Sequence, residues 1–153
     1  MSSFLWIKAA LLPLPIYALG VWVGWPLAGA AIGLAYSVTW IALRYGRRWP
    51  PPFELGQLLG LAVIVVGDVL PIQVVHENPR AFVLMALAMG AAVSVAIGQP
   101  WTALFSARDY EGASSTDLFR RINAQLSALW AVLFAWFALA TFLHWPAATH
   151  WLP

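Results

Sequence analysis

The chain has 153 residues, 62% of them hydrophobic and only 9% charged, with a formal net charge of +2 and no cysteine. A water-soluble domain carries about a quarter charged residues, so this composition excludes an ordinary hydrated surface and points to hydrocarbon as the surrounding solvent. Without cysteine there are no disulfides and no thiolate chemistry. The eight basic residues are scattered and form no phosphate-tracking stripe, so no nucleic-acid partner is expected.

Crossing a hydrocarbon core about 30 Å thick takes roughly 20 helical residues. Five apolar segments approach or meet that length. The first, about 4–19, is short and carries Pro13 and Pro15 inside it. The run behind Lys8, ending in the small residues Ala18 and Gly20, has the outline of a signal peptide whose removal would leave four spans. Its poor charge and internal prolines favour a short or kinked span instead, its lost hydrogen bonds re-satisfied by neighbouring helices. The second segment covers about 25–44 and closes in a basic turn with Arg44, Arg47 and Arg48. Behind the breaker Trp49-Pro50-Pro51-Pro52, the third covers about 53–72. The fourth, about 78–98, opens at Asn78-Pro79, where the missing proline N–H costs nothing.

The longest polar stretch is 99–121. Within it Trp101, Leu104, Phe105 and Tyr110 recur at broadly helical spacing, which predicts a short helix lying at the interface. Ser114-Ser115-Thr116-Asp117 reads as the N-cap of the fifth segment, about 117–143. The tail 144–153, with Trp145 and Trp151, is expected in the outer headgroups. The fold class is therefore an all-α membrane protein: a single domain, 1–153, built as a bundle of about five transmembrane helices with one interfacial helix before the last. Arg44, Arg47, Arg48, Arg108, Arg120 and Arg121 fall on one side, and only Arg80 on the other. Basic residues gather on the cytoplasmic side, which predicts the N-terminus inside and the C-terminus outside.

An ionisable residue within a span is a functional candidate, because burying its charge is costly. Asp68 is the clearest, and at helical spacing it shares a face with Glu54 and Gln57. One reading is a polar path for a proton or cation. The plainer reading leaves Glu54 in the inner interface and Asp68 near enough to the outer one to snorkel. Gly29-x-x-x-Gly33 and Gly56-x-x-x-Gly60 let backbones approach, within the chain or between copies. His76 and Glu77 would need His144 or His150 to complete a metal site; interfacial polarity explains them more simply. Asn123, Ser127 and Thr141 fall near one face of the fifth segment, as interhelical hydrogen-bonding groups do. No catalytic motif is present, and no metal or cofactor is expected.

The Leu12-Pro13-Leu14-Pro15 opening followed by Tyr17, the element Gln99-Pro100-Trp101, and Ile122-Asn123 leading into Leu129-Trp130-Ala131-Val132-Leu133-Phe134 together resemble the intracellular septation protein A family. That layout is similar over nearly the whole chain. Two departures stand out. Gln99 replaces the family's Lys before the proline, and Asn123 and Trp130 stand about one turn further apart than in the family. The resemblance implies a bacterial inner-membrane protein of cell-envelope growth and division, acting through protein contacts. Two functions are thus expected in order, with a membrane-bound enzyme as the remaining, least favoured option. The first is a non-enzymatic contact protein whose surface is the 99–121 loop, with Pro100, Trp101, Arg108 and Arg120 on it and Asn123 and Trp130 anchoring the helix behind. The alternative is a small oligomeric transporter or channel using Asp68 and Gln57. Expected partners are the lipid bilayer, other envelope or division proteins, and further copies of this chain.

Overall fold

A computed structural model of the protein describes residues 9–107, 110, 112 and 114–143. The described residues form helices α1 (Pro13–Trp22), α2 (Pro26–Tyr45), α3 (Pro52–Val69), α4 (Gln73–Glu77), α5 (Pro79–Ala96), α6 (Trp101–Ser106) and α7 (Asp117–Phe142). Proline opens α1, α2, α3 and α5, where its locked φ suits the first turn and its missing N–H leaves nothing unpaired. The Pro50-Pro51-Pro52 breaker and the Asn78-Pro79 start thus act as the sequence implies. The N-cap of α7 is Thr116, whose Oγ1 accepts from the Phe119 N–H at 3.2 Å, with Asp117 in the first turn.

Four of these helices, α2, α3, α5 and α7, are long and apolar enough to cross a membrane. Their outward faces carry exposed Ile32, Leu43, Val66, Met89, Leu129 and Val132. That surface suits lipid, since hydrocarbon exacts no penalty for apolar side chains. The first expected span, about 4–19, is represented among the described residues by the ten-residue α1, below spanning length by itself. The third expected segment ends earlier than 72: the α3 helix stops at Val69, and the separate turn of α4 follows. The tail 144–153, with His144, Trp145, His150 and Trp151, lies outside the described residues.

The bundle is held at close glycine crossings. α3 packs on α2 and on α5, α5 packs on α7, and α1 packs on α2. At Gly56 an added Cβ would stand 2.4 Å from the Ala86 carbonyl oxygen of α5, a separation that only glycine permits. Gly29 meets Gly20 of α1 in the same manner. Both small-residue patterns are thus used within the chain. Tyr17, Phe53, Leu61, Ile64, Val83, Leu87 and Ala91 fill the buried centre around these crossings.

Because the Gly56 contact is to backbone, Gly56→Ala must push α3 and α5 apart. Overpacking of this kind costs about 1–3 kcal/mol. Detergent-titrated unfolding of Gly56→Ala should show that loss. Leu43→Ala, at a side chain 83% exposed on the outer face, should leave the transition nearly unmoved.

Candidate functional site

The densest polar and aromatic system lies where α5 ends, α6 begins and α7 passes. α5 stops in a Schellman turn: Gly98 takes φ +71, the Gly98 N–H donates to the Val95 carbonyl at 3.0 Å, and the Gln99 N–H donates to the Ser94 carbonyl at 2.8 Å. Glycine reaches that left-handed φ without steric cost, which is why it ends helices this way. The turn aims Pro100 inward, where it is buried as the N-cap of α6.

A helix start leaves backbone N–H groups without partners in their own helix. In α6 two of these are met by hydroxyls from other helices. The Trp101 N–H donates to Ser94 Oγ of α5 at 3.2 Å, and the Thr102 N–H donates to Ser127 Oγ of α7 at 3.3 Å. Thr102 Oγ1 donates to the Asn123 carbonyl at 2.9 Å and lies 3.0 Å from Ser127 Oγ. Ser106 Oγ has two acceptors for its one proton, the Thr102 carbonyl at 3.0 Å and Asn123 Oδ1 at 3.1 Å. The Asn123 amide in turn donates to the Phe119 carbonyl at 2.9 Å. Every one of these partners sits on a different turn of α5, α6 or α7, so the short helix is bonded along its length.

Aromatic packing closes the other side. Trp101 is only 8% exposed and stacks on Phe53 of α3 with ring centroids 4.2 Å apart and planes 9° from parallel. Phe105 and Trp130 meet its edge at 5.6 and 6.4 Å, and Phe134 packs against both Trp130 and Phe53. Trp130 is partly exposed, so it forms the outer wall of this cluster. α6 is therefore docked into the bundle through Trp101, with Leu104 on its outer face. Tyr110, expected on the same apolar face, lies beyond the end of α6 and is exposed.

The remaining sequence candidates fall elsewhere. Arg120 is well exposed on the first turns of α7 and is paired with Asp117. Arg108 lies outside the described residues. Gln57 is buried and donates from Nε2 to the Ala10 carbonyl at 3.3 Å. Glu54, expected in a solvated interface, is also buried: its Oε1 accepts from Tyr45 Oη at 2.8 Å and lies 3.7 Å from the Arg44 guanidinium. Asp68 stands apart from both, partly exposed at the far end of α3, 3.3 Å from His76 Nδ1 on α4. Buried Leu61 and Ile64 lie between Gln57 and Asp68 along α3. The described residues hold no group of three His, Asp or Glu side chains able to share a metal ion.

Sequence reasoning missed Ser94, Thr102, Ser106 and Phe53. The polar spacing Asn123 to Ser127 on α7 was a visible signal that something polar faces that helix. Its partners sit in other segments, so the pairing itself had no sequence signature.

Two substitutions separate the hydrogen bonds from the packing. Thr102→Val removes the hydroxyl at the centre of the set and should cost about 0.6 kcal/mol and no more than about 1.7 kcal/mol, the average and the upper end for interhelical bonds in membranes. Trp101→Ala should cost about 3–5 kcal/mol and open the 101–116 region to protease. Unfolding transitions and limited proteolysis in micelles read both, and equal effects from the two would refute the division. No protein-family model, no curated protein and no solved structure matches this chain.

Proposed function

We propose that the chain is a non-enzymatic, multi-pass protein of the bacterial inner membrane that works by contact with other envelope proteins of growth or division. In this reading five segments span, with α1 and the residues before it as the short first span. The N-terminus and the α5–α7 connection are cytoplasmic, in keeping with the basic residues there. The contact surface is that connection together with the first turns of α7, where Leu118, Ile122 and Arg120 are exposed.

The observation that carries the reading is the anchoring of α6. A six-residue helix has too few internal hydrogen bonds to persist alone. Here hydroxyls from α5 and α7 supply bonds to its first turn, and Trp101 is stacked on Phe53. Such anchoring pre-organises a surface, which lowers the ordering cost a partner must overcome. Trp101 and Asn123 then serve as positioning residues beneath the surface, and Arg120 as a residue on it.

A second reading, a small oligomeric transporter using Asp68 and Gln57, draws on the buried polar groups of α3. Among the described residues, α3 of one chain offers it no continuous polar route, because Leu61 and Ile64 lie between Gln57 and Asp68. It therefore requires several copies.

Crosslinking pull-down from native membranes tests the first reading. Recovery of division or wall-synthesis proteins by the wild type, lost in Arg120→Glu while membrane insertion is unchanged, is the expected result. An identical set of captured proteins from both would sink it. For the second reading, Asp68→Asn should abolish a pH-dependent flux in proteoliposomes. A wild type no leakier than empty vesicles eliminates the transporter.

A further inference from the structure

A groove opens between α1 and α5 on the outside of the bundle. α1 packs on α2, while α5 packs on α3 and α7, so α1 and α5 stand side by side with space between them. The groove follows α1 from Leu14 to Val21 and α5 from Arg80 to Leu87, and Phe134 of α7 completes its lining. Its volume is about 240 Å³. The seven-residue advance along each helix corresponds to about 10 Å of rise. One leaflet is half of a hydrocarbon core about 30 Å thick, so the groove descends through much of one leaflet.

Arg80 stands at the mouth. It is the second residue of α5, half-buried, and the only charged residue in the lining. The other large groove on this side of α5, between α5 and α7, is lined by Ala, Phe, Met and Leu side chains with no charged or polar one among them. In hydrocarbon an apolar groove has little preference for one apolar guest over another, because the bilayer solvates all of them equally well. A cation at the headgroup end changes that, since it selects guests that carry a negative group at the same depth.

We propose that this groove holds one acyl chain of a glycerophospholipid whose phosphate is bound by Arg80. A guanidinium presents five N–H donors in a planar fork that matches phosphate oxygens, enough for a phosphate alongside contacts within the protein. The two carboxylates among the described residues at this end are engaged elsewhere: Asp68 lies 3.3 Å from His76 Nδ1, and Glu77 accepts from Gln73 at 2.8 Å. The volume is below the roughly 300–1,000 Å³ of pockets that enclose a whole drug-sized ligand, so one chain enters and the other stays in the bilayer. The inference requires the chain to lie in a membrane and does not depend on the contact function proposed above.

Native mass spectrometry of the full chain, released from detergent and titrated with dioleoyl phosphatidylglycerol, tests the site. The wild type should retain one lipid per chain. Arg80→Gln should weaken retention about tenfold or more, as expected for loss of hydrogen bonds to a charged group. Ala18→Phe places a ring in the groove at an exposed position and should abolish retention with Arg80 intact. Dioleoylglycerol, which has the chains without the phosphate, should not be retained, and inorganic phosphate should not displace the lipid. Equal retention by wild type and Arg80→Gln, or of the phosphate-free lipid, would overturn the proposal. So would displacement by inorganic phosphate, which marks a simple anion site, or a lipid-free pair of chains abolished by Ala18→Phe, which puts a second copy in the groove. If Ala18→Phe does not insert, Arg80→Gln and the two lipids still decide it.

Discussion

The close approach of α3 and α5 is the constraint on which the remainder of the bundle depends. Apolar burial provides little drive for helices to associate in hydrocarbon, so packing contact and interhelical hydrogen bonds must supply it. Dispersion attraction falls off within fractions of an ångström. Backbones that meet at Gly56 and Gly90 therefore gain contacts that a single methyl group would forfeit, since a Cβ on Gly90 would stand 2.7 Å from the Pro52 carbonyl oxygen. That contact places the first turn of α3 against α5, near the end where α5 gives way to α6.

Two side chains of that first turn then face opposite ways. Phe53 points towards the α6 and α7 side and receives Trp101 on its ring face. Glu54, its neighbour, points towards α2 and meets Tyr45 and Arg44. Adjacent residues on a helix diverge by about 100°, so one turn can serve both systems. The guanidinium of Arg44 also lies over the rings of Trp40 and Tyr45, at 5.6 and 5.2 Å from their centroids. A buried carboxylate is tolerable only when its charge is compensated and its oxygens are bonded. The aromatic system and the ionic system thus share one short piece of backbone.

The polar content of the protein follows the same economy. Ser94 and Ser127 are fully buried, and each accepts from a backbone N–H at the start of α6. In a low-dielectric interior these bonds are strengthened and their loss is correspondingly costly. Pairing α6 with its neighbours therefore removes a liability from the bundle while fixing the segment in place. By contrast, the far end of the bundle is more open, with Asp68 and His76 both accessible and Gln73 bonded to Glu77 at 2.8 Å.

Much of the architecture was legible in the sequence, because hydrophobic length and breaker residues are local properties. The apolar runs that became α2, α3, α5 and α7, the prolines that open helices, and the Thr116 cap all follow from chain-local chemistry and were read to within a few residues. The α3 boundary ran long because Leu70 to Ile72 continue the apolar composition after the helix has ended. Helical periodicity likewise placed Glu54, Gln57 and Asp68 on one side of α3. It could not say that the first two meet α2 and the residues before α1, while the third meets α4. Trp101 was legible as an apolar residue of a short helix, but not as a buried one. Whether such a ring faces headgroups or a neighbouring Phe depends on where α3 lies, and no local pattern carries that information. The sequence by itself thus determined which segments are helical and which are greasy enough for lipid. The tertiary structure alone decided which polar groups are partnered and which buried, because partners separated by 25 residues or more, such as Thr102 and Ser127 or Gln57 and Ala10, are joined only by packing.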